Sequence, residues 1–406
     1  MVEHKANPSN HLVLGNDAGD ADSVISAITL AYIESMEHGK YVTPVVAISK
    51  YAFVHERPDI ALLLELAGVH DASDKLIFIE DLEDIVGNST SSGVSQSKMT
   101  LVDHNTLNPS LPHSIRKNLI VKEIVDHHID EGKYQETCSG NHRIIAFRDG
   151  QPLVSSTTTL VAERMQQYRV PYPPSIGILL LGVILLDSVN LDDAIGKVTE
   201  RDKIAVDDLV VNTDWSKVTM TVTFLTSDGN GDIAVDTTEL FNELQLAKYD
   251  AHFWSDIPVS RALGYDVKYF HQDEFTEFGV STILMPPTGF MEKDGFAEST
   301  LAFMGTEQIT LLGIMFAFYD EEKSFRRQLA FISTDQQANL RLLVESLLNS
   351  RPYTKVDLQL EEKVVPVDFN TELQVLLFDQ RNVSPSRKEI GPMIEDFFHI
   401  MLDGSN

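Results

Sequence analysis

Residues 11–36 read HLVLGNDAGDADSVISAITLAYIESM. An apolar run from His11 to Leu14 breaks at Gly15-Asn16, passes Asp17, Asp20 and Asp22, and gives way to apolar residues at 3–4 spacing as far as Met36. Strand, turn, helix is the opening of a parallel α/β unit, in which a buried strand hands over to a crossover helix. Three carboxylates this close repel one another, and each is driven toward its protonated form unless a cation neutralises the set. Read alone, the stretch fits either a solvated acidic turn, for which Gly15, Asn16 and Gly19 are ordinary formers, or a metal site.

The first half of the chain repeats the alternation. YVTPVVAIS (41–49), KLIFIED (75–81), KMTLVDHN (98–105), NLIVKEIVDHH (118–128) and LLLGVILLDS (179–188) are further apolar runs, most of which stop at Asp, Asn or His. Strands rich in Val, Ile and Leu and separated by helices predict a mainly parallel sheet covered by helices on both faces. Such sheets bind ligands at the carboxyl ends of their strands, so Asp20, Asp22, Asp103, Asp126-His127-His128 and Asp187 are expected on one rim. Each Asp taken singly also fits a helix N-cap.

Length and composition bound the rest. A chain of 406 residues, 43% hydrophobic and 23% charged, is globular and long enough for two domains. The net charge of −29, from 61 acidic and 32 basic residues, argues against nucleic acid as a partner. It permits an anionic substrate where metal ions and a few Lys and Arg reverse the sign locally, and it suits a basic protein partner. No apolar stretch reaches the ~18 residues of a membrane span. The opening MVEHKANPSNH (1–11) has no apolar signal core, so a cytoplasmic protein with no membrane partner is expected. Cys138 is the only cysteine, which excludes an intramolecular disulfide and a cysteine-based zinc site.

The expected organisation is a catalytic domain over 1–205, a connector with an insertion over 206–245, and a smaller α/β domain over 246–406. In the connector KVTMTVTFLT (217–226) and DIAVD (232–236) flank SDGNG (227–231) as a β-hairpin. DGNGDI (228–233) looks like the middle of a calcium loop, but the register would put Thr226 and Thr237 where Asp and Glu are required. DIVGNSTSSGVSQS (84–97) reads as a Ser/Gly-rich mobile loop. In the last domain FGVSTILMP, LLGIMFAFYD and RRQLAFIST read as strands, NLRLLVESLL (339–348) and GPMIEDFFHIMLD (391–403) as helices.

A carboxylate-rich set with one or two imidazoles suits Mg²⁺ or Mn²⁺ better than structural zinc, and two such ions can activate water and polarise a phosphoryl oxygen. The ordered series DAD (20–22), VDHN (102–105), VDHH (125–128) and LLDS (185–188) resembles the DHH phosphoesterase superfamily. PSRKEIGP (385–392) resembles the Ser-Arg-Lys motif of the DHHA2 domain and GYDVKYF (264–270) its lysine-bearing segment, while the GGGH motif of the other DHH branch is absent. SSTTTLVAERM (155–165) and DSVNLDDAIGKVTERDK (187–203) resemble segments of the prune and yeast-type exopolyphosphatase branch.

The resemblance implies a site between the two domains that holds two divalent metal ions, Mg²⁺ or Mn²⁺, and hydrolyses a terminal phosphoanhydride through a metal-bridging hydroxide. It makes Asp20 a ligand of one metal and Asp22 and His127 ligands of the other, with Asp103 and Asp187 serving both. It gives His128, Lys268, Arg387 and Lys388 the catalytic role of gripping substrate phosphates, and leaves Asp126 to orient its neighbours. His104 either helps Asp126 or packs; Ser156 and Thr159 either meet phosphate or cap a helix. The pyrophosphatase branch carries His and Pro where this chain has Asn16 and Gly19, so the resemblance favours an exopolyphosphatase acting on short inorganic polyphosphate. An inorganic pyrophosphatase, a prune-like cyclic nucleotide phosphodiesterase and an interaction protein with a vestigial site stay open as alternatives.

Overall fold

The structure is a computed structural model that describes residues 9–91, 96–108, 111–227, 233–272, 276–333, 340, 357–367, 369, 373–387, 390–391 and 393–394. It divides into two units, residues 1–248 and 249–406.

The first unit is built on a six-stranded sheet of β1 (His11–Leu14), β2 (Thr43–Val46), β3 (Ile77–Phe78), β4 (Ser97–Val102), β5 (Leu119–Asp126) and β6 (Arg143–Ile145), ordered β3-β2-β1-β4-β5-β6. Every pairing is parallel. The chain runs outward from β1 to β3, then returns to β4 and runs outward the other way. This reversal between β1 and β4 is a topological switch point, where the loops leaving the two strands diverge and open a crevice. Within β1, Val13 enters the core on one face and Leu12 and Leu14 the core on the other. Burial on both faces explains why these strands read as unbroken apolar runs.

Helices α1 (Ala21–His38), α2 (Thr157–Gln167), α3 (Pro174–Asp187) and α4 (Glu200–Asn212) cover one face. The run ending in LLDS, expected as a strand, is α3, with Ile176 through Leu186 all buried. A run that is apolar on every side fits a buried strand or a buried helix equally; its fourteen residues and Pro174 at the first turn decide for helix. Asp187 therefore ends a helix, and the chain leaves it through three successive left-handed residues, Val189 (φ 54°), Asn190 (φ 55°) and Leu191 (φ 59°). Such residues cost roughly 1–2 kcal/mol each, and Asn190 N–H to Leu185 O (2.7 Å) and Leu191 N–H to Ser188 Oγ (3.1 Å) hold the turn.

One further sequence expectation changes. Residues 84–91, expected as loop, lie in a helix, Leu82–Ser91, whereas 92–95 fall outside the described residues. Residue 205 lies inside α4, and Leu209, Trp215, Phe224, Leu240 and Leu244 are buried in the core of the first unit. The hairpin pairs Leu225–Ser227 with Ile233–Val235; its tip lies outside the described residues.

The second unit has a mixed six-stranded sheet ordered 267–272, 276–283, 311–319, 325–333, 374–380 and 360–363. Phe290, Phe296 and Phe316 pack on one face, Phe278, Phe331 and Phe378 on the other. Most of the two helices expected over 339–348 and 391–403 lies outside the described residues. Among the described residues no helix is long and apolar enough to cross a membrane.

At the amino end of β1 a buried acid–base network ties α1 and α2 to the sheet. Glu34 is fully buried; its Oε2 lies 3.3 Å from His11 Nε2 and its Oε1 3.3 Å from Thr100 Oγ1. Arg164 binds Glu37 (2.9 Å) and Glu123 (2.5 Å) beside it. Burial, reinforced by Glu123, raises Glu34 to about 8, and burial with Lys98 lowers His11 to about 4. Between pH 4.5 and 6.5 the two effects oppose: the folded chain holds a proton on Glu34 that the unfolded chain has released, and lacks one that unfolded His11 would carry. From pH 6.5 to 8 only the Glu34 effect remains, so stability falls as pH rises. The midpoint of thermal unfolding should drop by about 3 °C over that interval, and Glu34→Gln, which mimics the protonated acid, should remove the drop. A wild-type midpoint that stays flat or rises from pH 6.5 to 8 would contradict the neutral Glu34.

Candidate active site

The loop from β1 to α1 is built around two glycines. A Cβ on Gly15 would stand 2.2 Å from Ser23 Oγ and 2.8 Å from Ser23 O, so only glycine lets the loop close onto the first turn of α1. Gly19 takes the left-handed conformation (φ 57°) against Ile48. Asp20 caps α1 by accepting Ser23 N–H at 3.0 Å, and Asp22, two residues on, is buried. Beneath the loop the buried Arg57 donates to Ala18 O (2.5 Å) and Gly19 O (2.8 Å), a cationic strut that fixes the backbone between Asn16 and Asp20.

β4 and β5 are adjacent, and their carboxyl ends supply the other side chains. Asp103 follows β4 in the left-handed conformation (φ 63°) while its N–H still bonds Val125 O at 2.9 Å. Its Oδ1 lies 3.4 Å from His127 Nε2 and 3.7 Å from His128 Nδ1; Asp22 Oδ2 lies 3.6 Å from the same His127 nitrogen. Ligand atoms of Asp103, His127 and His128 all fall within 4.8 Å of one another. His127 Nδ1 meets Val154 O at 3.2 Å and carries a proton there, so Nε2 faces the two carboxylates, paired with them when it too is protonated and a lone-pair donor when it is not. With Nε2 unprotonated, three electron-rich atoms face one another and form a donor set that a hard divalent cation neutralises.

Asp126, fully buried, accepts His128 Nδ1–H at 2.7 Å, its neighbour's His127 N–H at 2.8 Å and Asn105 Nδ2–H at 2.6 Å. Burial alone would raise Asp126; the adjacent His128, its hydrogen bond and His127 outweigh it and hold the carboxylate far below the ordinary range. An ionised Asp126 thus orients the His128 ring, and Asn105 also binds Ile129 O (2.8 Å) to fix the loop after it.

The SSTTT stretch does more than cap a helix. Ser156 is the N-cap of α2, and Asp22 Oδ1 accepts Ser156 Oγ–H (2.6 Å), Thr158 Oγ1–H (2.6 Å) and Thr158 N–H (2.8 Å), while Oδ2 accepts Thr157 N–H (2.8 Å). Thr157 Oγ1 donates to Asp103 Oδ1 at 3.0 Å. Thr159 Oγ1 donates instead to the buried Asp202 (2.6 Å), which also accepts Ser155 N–H and the Thr199 hydroxyl. The positive end of α2 therefore faces the buried carboxylate of Asp22. Burial pushes Asp22 up, but His127 and these hydrogen bonds prevail and keep it ionised. Sequence reading took Ser156 and Thr159 for phosphate contacts or caps; the order of four hydroxyl residues across from three separate Asp segments gave no signal of this cradle.

Asn16 is buried, and its Oδ1 faces the N–H groups of Ala18 (2.9 Å) and Gly19 (3.3 Å). Backbone N–H can only donate, so the other amide atom is nitrogen, and it donates to Asp103 Oδ2 at 2.5 Å. Asn16 is thus a donor to the central carboxylate and offers no lone pair to a cation. Asp17 is exposed and accepts from Asn108, and His104 Nδ1 meets Val102 O at 3.0 Å.

The remaining candidates are placed as follows. Asp20 and Asp187, half-buried, stand outside the tightest donor group. Lys268 lies on strand Val267–Gln272, in register with Val280. Arg387 pairs with Asp266 at 2.5 Å, and Lys388 falls outside the described residues.

Two family profiles cover most of the chain, the DHH family N-terminal domain at residues 10–184 and the DHHA2 domain at residues 242–397. The chain is a DHH–DHHA2 protein. It is 27% identical over 398 residues to the rat protein named Exopolyphosphatase PRUNE1, spanning 97% of this chain and 76% of that one. It is 29% identical over 405 residues to the bovine protein of the same name, spanning 98% and 77%. A Methanococcus jannaschii structure assigned to family II inorganic pyrophosphatase superposes with a TM-score of 0.58 at 17% identity, over 95% of this chain and 99% of that one, a likeness of fold. A DHH domain entails a dependence on divalent metal, and the cluster of Asp103, His127 and His128, with Asp22 beside His127, fits that requirement by the chemistry of its donor atoms.

Two substitutions test this arrangement. Thr157→Val, which deletes one donor to Asp103 and leaves the α2 backbone intact, should weaken Mn²⁺ binding about tenfold in equilibrium dialysis. Asn16→His exchanges an amide donor for an imidazole lone pair and should tighten Mn²⁺ more than Mg²⁺; unchanged Mn²⁺ affinity in both variants would show that neither group acts on the metal.

Proposed function

We propose that this DHH–DHHA2 protein is a metal-dependent exopolyphosphatase that removes terminal phosphate from short-chain inorganic polyphosphate. The observation that carries this reading is Asn16, buried and donating to Asp103, at the position where the sequence pattern of the pyrophosphatase branch has a metal-binding His. The name carried by the PRUNE1 relatives supports it.

In this reading Asp20, Asp22, Asp103, His127 and Asp187 hold two divalent ions, Mg²⁺ or Mn²⁺. When bound, such ions polarise phosphoryl oxygens and lower the pKa of water. The protein's own groups do the rest. His127, α2 and its hydroxyls keep Asp22 ionised, and Thr157 holds Asp103 in place, so the ligand set needs no reorganisation when substrate arrives. Asp126 fixes the His128 ring by accepting its Nδ1–H, which leaves the other ring nitrogen for a phosphate oxygen or the departing phosphate. Lys268, Arg387 and Lys388 add positive charge for the distal phosphates, Arg387 with a planar set of donors and the lysines as point charges. No Ser or Cys is required as a nucleophile.

The deciding experiment compares initial rates on tripolyphosphate, long-chain polyphosphate, pyrophosphate and cyclic AMP with Mg²⁺ or Mn²⁺. Tripolyphosphate should be hydrolysed faster than pyrophosphate, and Asp103→Asn should cut the rate by more than about 100-fold. Faster cleavage of pyrophosphate would make the protein a pyrophosphatase, turnover of cyclic AMP alone a phosphodiesterase, and none with any metal an interaction protein.

A further inference from the structure

Asp266 sits two residues before Lys268 in GYDVKYF, an acidic group within a segment whose proposed task is to attract phosphate. Its contacts give it a different part. Arg387 Nη1 donates to Asp266 O (2.6 Å) and toward Val280 O (3.4 Å), and Arg387 Nη2 donates to Asp266 Oδ1 (2.5 Å). Val280 is the residue opposite Lys268 in the sheet register. Main chain and side chain of one residue thus grip the far end of the guanidinium. The residues leading to Arg387 are fixed as well. Pro385 O accepts both Arg327 Nη1–H and Gln380 Nε2–H, two donors from largely buried side chains on one carbonyl.

A guanidinium carries five N–H donors in one plane. Both hydrogens of Nη1 and one of Nη2 are directed at Asp266 and Val280, so among the described residues the Nε–Nη2 edge keeps the pair of parallel donors that matches two oxygens of a phosphate. We propose that Asp266 is a positioning residue, one that locks Arg387 so that this edge is presented to a substrate phosphate beside Lys268. The proposal rests on the reading of Arg387 as a phosphate-binding residue. The acid contributes direction at the expense of net charge: a flexible Arg387 would attract polyanions and hold them in many poses, whereas the gripped one binds them in one.

The test uses the full-length protein and tripolyphosphate with Mg²⁺, reading KM and kcat separately, and Kd by calorimetry. Asp266→Ala should raise KM and Kd about tenfold and leave kcat within about threefold, as expected for loss of one charge-assisted hydrogen bond acting on binding. Asp266→Asn keeps an accepting oxygen and should restore most of the affinity. Asp266→Ala added to Arg387→Ala should cost nothing further, because the first residue acts only through the second. Arg387→Lys, which keeps the charge without the two-point grip, should behave like Asp266→Ala and decides the matter if that variant does not fold. An unchanged or lowered KM and Kd in Asp266→Ala, or losses that multiply in the double variant, would overturn the proposal. If the wild type turns over no tripolyphosphate, the hydrolase reading fails, and the difference in Kd between wild type and Asp266→Ala still decides the role of Asp266.

Discussion

Everything in the first unit depends on supplying hydrogen bonds to carboxylates where water cannot reach them. Asp22, Asp103, Asp126 and Asp202 are each 5% exposed or less, and a carboxylate so placed is costly unless it is hydrogen-bonded. His127 and His128 stand against Asp22 and Asp126, and the fold adds donors that cannot be lost by titration: backbone N–H groups at the start of α2, hydroxyls of Ser156, Thr157, Thr158 and Thr159, and the amides of Asn16 and Asn105. Hydrogen bonds to charged acceptors contribute roughly 1.5–3 kcal/mol each, enough in sum to offset the burial of these groups. Because these added donors are neutral, they satisfy the carboxylates without cancelling the negative field that draws a divalent ion.

The topology makes this economy workable. Reversal of strand order between β1 and β4 brings the Asn16–Asp22 loop, Asp103 and the Asp126–His128 turn to neighbouring strand ends, and α2 arrives with its amino end toward them. Asp103 needs a left-handed backbone to leave β4 and still reach His127, a conformation that Asp tolerates better than most residues. Gly15 and Arg57 set the opposite wall, one by having no side chain and the other by donating to the carbonyls of Ala18 and Gly19. In the second unit a comparable device recurs on a basic residue, where Arg387 is held by a carbonyl and a carboxylate of the same neighbour.

Much of this was legible in the sequence. Five of the six parallel strands follow from apolar runs, and the DAD, VDHN and VDHH segments fall where strand ends are expected. The failures have physical causes. LLLGVILLDS is apolar all round, so periodicity could not separate a buried helix from a buried strand. Strand β6, Arg143–Ile145, is three residues long and half exposed, too short for any pattern. The part played by Thr157 is invisible because its partner, Asp103, lies 54 residues away, and nothing local distinguishes a capping hydroxyl from one that also serves a distant carboxylate. The orientation of Asn16 needed the backbone N–H groups around it, which only a folded loop supplies.

The parallel topology has a consequence for the order in which the chain acquires structure. β1 pairs with β2 about thirty residues on and with β4 about eighty-five on, and Asp22 meets its donors at Ser156–Thr158 only after some 135 residues. Contacts this far apart in sequence form slowly, since a long loop must close before any of them is gained. A ribosome-bound chain that has emerged only as far as the Asp126–His128 turn owns Asp22, Asp103 and His127 but not the hydroxyls that fix them. The carboxylates of such a fragment are still hydrated and mobile, and the emergence of α2 is the step that turns a loose acidic segment into a rigid one.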